Sequence, residues 1–358
     1  MKILTVVGNR PQFIKAAAVS GPLRAEHEEI LVHTGQHYDD ALSSVFFAEL
    51  GLSAPEHELG IGGGSNTSQT ARMVAALEPL LSETTPDAAL VYGDTNSTLA
   101  GALVAAQRCV PVVHVEAGMR SFDRSMPEEL NRVLCDRMSD LLLCASDTAA
   151  GNLRRESATG RIEVVGDVMV DVATRWQPTA RANGATPAAY GLEPGSYLLL
   201  TAHRAGNVDE PDRLRTLLQL IVALPKPVLF PMHPRTRARL HSAGLSAELE
   251  ALDGVLLTEP LGYVEFSALV CNARAVLTDS GGLQKEAYLA GVPCVTLRST
   301  TEWVETVAAG WNTLVDLDAE QALAALERPA PPEHPRLYGD GKAAERCVAA
   351  IGALGAGR

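Results

Sequence analysis

Short apolar, β-branched runs alternate along this chain with Ala- and Leu-rich stretches, the pattern of a parallel sheet wrapped by helices. In the first half the runs predict strands at Ile3–Val7, Ile30–His33, Ala88–Tyr92, Val112–Val115, Leu141–Ala145 and Ile162–Val165. In the second half they predict Tyr197–Thr201, Val228–Phe230, Val255–Leu257, Ala275–Thr278 and Cys294–Thr296. Between the sets lies Arg175–Gly195, poor in large apolar residues and broken by Pro178, Pro187, Gly191, Pro194 and Gly195. That is where a domain boundary is expected. The pattern therefore reads as two Rossmann-like α/β domains with parallel sheets, residues 1–170 and 171–342, followed by a terminal helix over 343–358.

The halves share a rhythm without a sequence repeat. Each opens on a strand that runs into a polar, cationic turn: Gly8-Asn9-Arg10-Pro11 first, Ala202-His203-Arg204 second. Each later has a strand that ends in Asp and small residues before a helix: Gly93-Asp94-Thr95-Asn96-Ser97 and Asp279-Ser280-Gly281-Gly282. Open α/β sheets bind ligands beyond the C-terminal ends of their strands, which is where all four turns lie. Two domains facing each other would present them to one shared central cleft.

Composition narrows the partners. At 358 residues, with 46% hydrophobic and 20% charged side chains, the chain is long enough to bury a sizeable core in each of two domains. A formal charge of −13 argues against nucleic acid, whose binding needs a basic stripe, but leaves room for a small anion held by local cations and helix N-termini. The six cysteines form no C-x-x-C pair and read as buried free thiols of a cytoplasmic protein. No apolar run approaches the ~20 residues that cross a bilayer. Neither a P-loop nor a G-x-G-x-x-G after the first strand is present, so no nucleotide hydrolysis, nicotinamide cofactor or metal is expected.

Several residues could carry chemistry. Ser280, Gly281 and Gly282 offer unobstructed backbone N–H groups to a diphosphate, and Glu286, one helical turn on, could take both ribose hydroxyls; an ordinary capped helix start is the plainer reading. Asp94 reads as well as an N-cap as it does as an acid/base group. Glu116 closes a strand that looks buried, where a carboxylate without a partner is costly. Glu128 and Glu129 open a helix after Pro127, and one of the two is expected to be structural. Asp94, Glu116 and Glu128 would raise one another's pKa if gathered at one point, which suits acid/base work. His203 and Arg204 could meet the charge of a diphosphate leaving group, as could Arg10. His233 reads equally as a solvated turn and Lys15 equally as a solvent-facing helix residue.

Together these blocks resemble the non-hydrolysing UDP-N-acetylglucosamine 2-epimerase family over nearly the whole chain. The segments that carry the resemblance are GNRPQFIKAA (8–17), TGQHYD (34–39), VYGDTNSTLAG (91–101), HVEAGMRS (114–121), PEELNRVLCD (127–136), AHRAGN (202–207), LTDSGGLQKEA (277–287), TTEWVET (300–306) and YGDGKAAER (338–346). The resemblance implies a glycosyltransferase-B-like fold, a C-terminal helix that crosses back to the first domain, a homodimer, and a UDP-sugar substrate with no cofactor. It places Asp94, Glu116 and Glu128 on the family's acid/base carboxylates and His203 on its catalytic histidine. Arg10, Ser280, Gly281, Gly282 and Glu286 fall on positions that hold the diphosphate and ribose, and Phe266 on the aromatic position beside the uracil. The implied reaction is anti elimination of UDP across C1–C2 to a glycal, then re-addition with C2 protonated from the opposite face.

The chain departs from the family pattern at Asn9 and Gln12, where Thr and Glu are usual, and at Trp303-Val304, where Arg-Pro is usual. These departures look closer to the branch acting on UDP-2,3-diacetamido-glucuronate-type sugars, where loss of a carboxylate at Gln12 would ease repulsion of an acidic sugar. Gln36, His37, Gln69 and Arg72 lie in segments resembling the region where some members bind an activating second UDP-sugar. A glycosyltransferase of the same fold, a hydrolytic epimerase and a non-catalytic nucleotide-sugar sensor are the competing readings.

Overall fold

The structure is a computed structural model that describes residues 1–36 and 49–355. It divides into two compact units, Met1–Thr174 joined by the segment from Tyr338 onward, and Arg175–Leu337.

The first unit is built on a seven-stranded sheet: β1 (Lys2–Val7), β2 (Glu28–His33), β3 (His57–Glu58), β4 (Ala88–Tyr92), β5 (Val112–Ala117), β6 (Leu141–Cys144) and β7 (Arg161–Val164), ordered β3-β2-β1-β4-β5-β6-β7. Every pairing is parallel. Parallel strands are covered on both faces and so read as continuous apolar runs, as β4 and β6 do, each buried along its full length. Strand order reverses between β1 and β4, so the turns after these two strands share a switch point, the place where open α/β sheets bind ligands. Helices α1 (Arg10–Glu26), α2 (Asn66–Thr84), α3 (Asn96–Gln107), α4 (Pro127–Met138) and α5 (Asp147–Arg155) fill the crossovers. Leu4, Val6, Val32, Ala89 and Val91 pack against Met73, Leu77 and Leu81 of α2 and Ala100 and Val104 of α3.

The second unit has six parallel strands, β8 (Leu198–Thr201), β9 (Val228–Pro231), β10 (Val255–Thr258), β11 (Ala275–Thr278), β12 (Cys294–Thr296) and β13 (Asn312–Leu314). Their order is β10-β9-β8-β11-β12-β13, with the switch point between β8 and β11. Period-two alternation divides its core: Leu198, Leu200, Phe230 and Leu277 face one apolar cluster, Tyr197, Leu199, Leu229 and Val276 the other. Helices α6 (Val168–Ala182) to α15 (Ala319–Glu327) follow, of which α10 (Pro234–Ser242), α12 (Tyr263–Cys271) and α13 (Gly281–Leu289) matter below.

The chain then returns. Helix α16 (Ala343–Gly355) packs on α1, and Asp171 caps it by accepting from the amides of Ala343 at 3.1 Å and Ala344 at 2.9 Å. Residues 171–174 and 338–342 therefore belong to the first unit, outside the span expected for it. All six cysteines are free; five are buried, and Cys109, expected to be buried with them, is exposed. Among the described residues no helix is long and apolar enough to cross a membrane.

Candidate active site

In the first unit the chain leaves β1 through Gly8 and Asn9, whose side chain caps α1 by accepting from the Gln12 amide. Gln12 is buried and its own amide is fully engaged. Its Oε1 accepts from Gly8 N at 2.8 Å, and its Nε2 donates to Tyr92 O and Thr98 Oγ1, both at 2.9 Å. That triad ties the turn after β1 to the turn after β4. Arg10, partly exposed, stands at the first position of α1 beside this tie.

Lys15, one turn further, is buried rather than solvent-facing, and its ammonium is paired with the Glu116 carboxylate. Glu116 sits in an irregularity of β5: the register with β6 shifts between Val115 and Ala117, and Glu116 adopts φ +68°. A bulge of this kind re-aims one side chain out of the strand's alternation, at a conformational cost of about 1–2 kcal/mol for a non-glycine residue. The pair lies over the turn after β4, since a Cβ on Gly93 would fall 3.2 Å from Lys15 Nζ and 3.3 Å from Glu116 Oε2.

Asp94 follows Gly93. It is not the helix cap: Thr95 caps α3 in a reciprocal capping box with Thr98. Asp94 is instead ion-paired with the buried guanidinium of Arg132, while Asn131 donates to the Asp94 carbonyl at 3.0 Å. Each of these two carboxylates thus has a cation beside it, Lys15 for Glu116 and, shared with Glu129, Arg132 for Asp94, which offsets the mutual repulsion expected from the sequence. The acidic pair at the start of α4 separates by role. Glu129 is buried and structural, accepting from Ser121 N at 2.9 Å and Phe122 N at 3.0 Å and pairing with Arg132 at 3.0 Å. Glu128 stays partly exposed in the same first turn.

In the second unit Asp279, fully buried at the end of β11, organises the turn after β8. It accepts from His203 N at 2.9 Å, Arg204 N at 2.9 Å and Asn207 Nδ2 at 3.1 Å, with His203 Nδ1 at 3.4 Å. The His203 ring stacks on the exposed His233 ring at 5.1 Å between centroids, so these two residues are brought together while His233 also caps α10. Helix α13 begins at Gly281 with no side-chain cap bond from Ser280. Glu286 lies partly buried one turn on. Phe266 of α12 is buried in an apolar cluster with Leu261, Leu269 and Leu283, where its ring serves the core.

Comparison with known proteins settles the family. The family model for UDP-N-acetylglucosamine 2-epimerase matches residues 23–352. The chain belongs to the UDP-N-acetylglucosamine 2-epimerase family. Among its relatives in this family, a UDP-N-acetylglucosamine 2-epimerase homolog of Methanococcus maripaludis is 44% identical over 97% of this chain and 98% of that protein. The UDP-2,3-diacetamido-2,3-dideoxy-D-glucuronate 2-epimerase of Pseudomonas aeruginosa is 43% identical over the same shares. Among solved structures, the UDP-GlcNAc 2-epimerase of Methanocaldococcus jannaschii in complex with UDP-GlcNAc and UDP superposes with a TM-score of 0.93 at 39% identity, over 99% of this chain and all of that one. The fold is accordingly of the glycosyltransferase-B-like class, with two α/β units built on parallel sheets.

Within the epimerase family the departures of this chain acquire physical content. Gln12 spends its amide on the backbone and on Thr98, which fixes its place in the turn. A carboxylate there could not donate to the Tyr92 carbonyl. Trp303 is buried, with the Lys285 ammonium 4.2 Å from its ring centroid. Of the residues in segments that resemble an activator region, Gln36 accepts from Ser97 N at 3.1 Å and Gln69 from Asn96 at 2.7 Å, Arg72 donates to Gly62 O at 3.0 Å, and His37 lies outside the described residues. Arg132 and Asp279 were missed as site residues because their partners are far away in sequence.

The two glycines of α13 predict different outcomes. A Cβ on Gly281 would strike the buried Glu302 carboxylate at 2.0 Å, whereas one on Gly282 would meet only Ser280 Oγ, at 4.0 Å. Gly281→Ala is therefore expected to lower the melting temperature. Gly282→Ala, whose added carbon meets nothing closer, should leave it within about 1 °C, and calorimetric scans of the two variants check both.

Proposed function

We propose that this protein is an enzyme that inverts C2 of a UDP-N-acetylamino sugar, UDP-GlcNAc to UDP-ManNAc or a modified relative, by anti elimination of UDP and re-addition through a glycal. The observation that carries this reading is the pair of carboxylate–cation couples, Glu116–Lys15 and Asp94–Arg132, set at neighbouring strand ends of the first unit. C2–H has no adjacent carbonyl and is not acidic, so its loss requires departure of the diphosphate together with a held base and a held acid. Asp94, Glu116 and Glu128 supply proton transfer. His203, Arg204 and His233 meet the charge that develops on the leaving diphosphate, with Arg10. Ser280, Gly281, Gly282 and Glu286 hold diphosphate and ribose. Phe266, largely buried, falls by resemblance on the position beside the uracil. A glycosyltransferase would not need two proton-handling carboxylates on one unit, which favours epimerisation.

The Pseudomonas relative supports a second substrate, a diacetamido-glucuronate, on the same chemistry. Incubation in D2O with either UDP-sugar, followed by proton NMR, tests the reading: deuterium at C2 with a growing manno-configured UDP-sugar is the expected result. Silence with both sugars, or release of free sugar and UDP, overturns it in favour of transfer or hydrolysis. Glu128→Gln and His203→Ala are each expected to cost about 2–4 kcal/mol of transition-state stabilisation while UDP affinity is largely kept; steady-state kinetics beside UDP calorimetry checks both. A cytoplasmic homodimer is part of the same reading, supported by the free thiols and the nucleotide-sugar substrate for compartment and by family resemblance for assembly.

A further inference from the structure

Beneath the Glu116 bulge lies a buried polar chain that the reaction as described does not use. His114, two residues before Glu116, is fully buried. Its Nε2 donates to the Gly93 carbonyl at 2.7 Å and its Nδ1 to the Asp136 carboxylate at 2.8 Å. Gly118, two residues after Glu116, donates its amide to the other Asp136 oxygen at 3.1 Å. Arg120 closes the set, 2.7 Å from Asp136 and bidentate to Glu156 at 2.8 Å.

One carboxylate from α4 therefore grips β5 on both sides of the residue held at φ +68°. Left-handed backbone at a non-glycine residue persists only where its surroundings over-determine it, and these bonds do so. The same imidazole reaches the carbonyl of Gly93, immediately before Asp94, and so joins the bulge to the neighbouring turn. Burial of Asp136 opposes its ionisation, but the hydrogen bond and charge of His114, then Arg120, outweigh this and hold the carboxyl below its ordinary range.

We propose that Asp136, acting through His114 and the Gly118 amide, is the positioning residue that holds Glu116 in its bulge and keeps it in fixed register with the Gly93–Asp94 turn. The proposal rests on the epimerase reading for its consequence in catalysis, though not for its geometry. A displaced base loses rate while largely keeping nucleotide, because the residues assigned to UDP, Arg10 apart, belong to the other unit; displacement of about 1 Å can cost on the order of 100-fold.

The test is Asp136→Asn in the full chain, nearly isosteric but neutral. Expected are a fall in kcat of about 100-fold, a UDP dissociation constant within about twofold of the parent, and a crystal structure in which Glu116 has left the left-handed region. A merely structural role would lower the melting temperature and leave kcat per folded molecule unchanged, which overturns the proposal. Should Asp136→Asn fail to fold, His114→Gln takes its place, since Gln keeps a donor for the Gly93 carbonyl and gives up the link to Asp136. The same loss of kcat at constant UDP affinity is expected, and kcat within about twofold of the parent sinks the idea. If the parent epimerises no UDP-sugar, the functional reading falls by itself. The crystal structure of the folded variant then decides: Glu116 still at its original φ refutes the proposal, and a relaxed Glu116 sustains it.

Discussion

Glu116→Gln lowers turnover about 1,000-fold and leaves UDP affinity within about twofold: that is the expected result if Glu116 moves the C2 proton, general acid–base groups contributing 10²–10⁴-fold. The substitution keeps size and keeps an oxygen for the Lys15 ammonium, so the bulge survives and only proton transfer is removed. Stability separates this from a structural effect. Glu116→Ala strips Lys15, itself nearly buried, of its anion, and breaking a buried pair this way costs about 3–5 kcal/mol. The double variant Lys15→Met/Glu116→Gln should regain stability relative to Glu116→Ala and regain no activity. Paired measurement of kcat, UDP binding and melting temperature on the three proteins checks this, and recovery of activity in the double variant would remove Glu116 from the chemistry.

The second large effect is expected at Asp279, which touches no proposed substrate atom. Asp279→Ala removes the acceptor of the His203 amide, the Arg204 amide and the Asn207 side chain at once. Each buried donor deprived of its partner costs about 1–3 kcal/mol, and the losses overlap because the three share one carboxylate. A net loss of about 4 kcal/mol corresponds to roughly 8–16 °C in the melting of a unit this size. UDP binding should weaken with it, since the turn that presents His203 and Arg204 loses its anchor. Asp279→Asn keeps one acceptor oxygen and should fall between the two. Calorimetric scans with and without UDP read both quantities, and a variant of parental stability would mean that water replaces the carboxylate.

The strands that carry these sites were legible because buried parallel strands leave unbroken apolar runs, as at Ala88–Tyr92 and Leu198–Thr201. The edge strands β3 and β13 were not: two or three residues, His57–Glu58 and Asn312–Leu314, are too short and polar to form a pattern. The turns were legible for the same local reason, since Gly, Asp and Ser after an apolar run mark a strand end. What these turns hold was hidden. Arg132 reaches Asp94 across 38 positions and Lys15 reaches Glu116 across 101, and no periodicity encodes an ion pair made by the crossing of two elements. Asp94 therefore reads as well as a cap as it does as an acid/base group, and Lys15 equally as a surface residue. The β5 bulge left no trace either, because Val-Glu-Ala alternates as well in a regular strand as in a bulged one.

The returning helix also sets a schedule for synthesis. Asp171 finds the amides it caps 172 residues downstream. At about 5–20 residues per second a ribosome needs roughly 10–35 s to deliver them. Over that interval the nascent first unit carries its sheet but not the helix that covers α1, while the second unit emerges and can fold whole. Maturation thus runs against chain order, with the earlier-made half finished last. A C-terminal fusion that hinders α16 would then harm the first unit before the second.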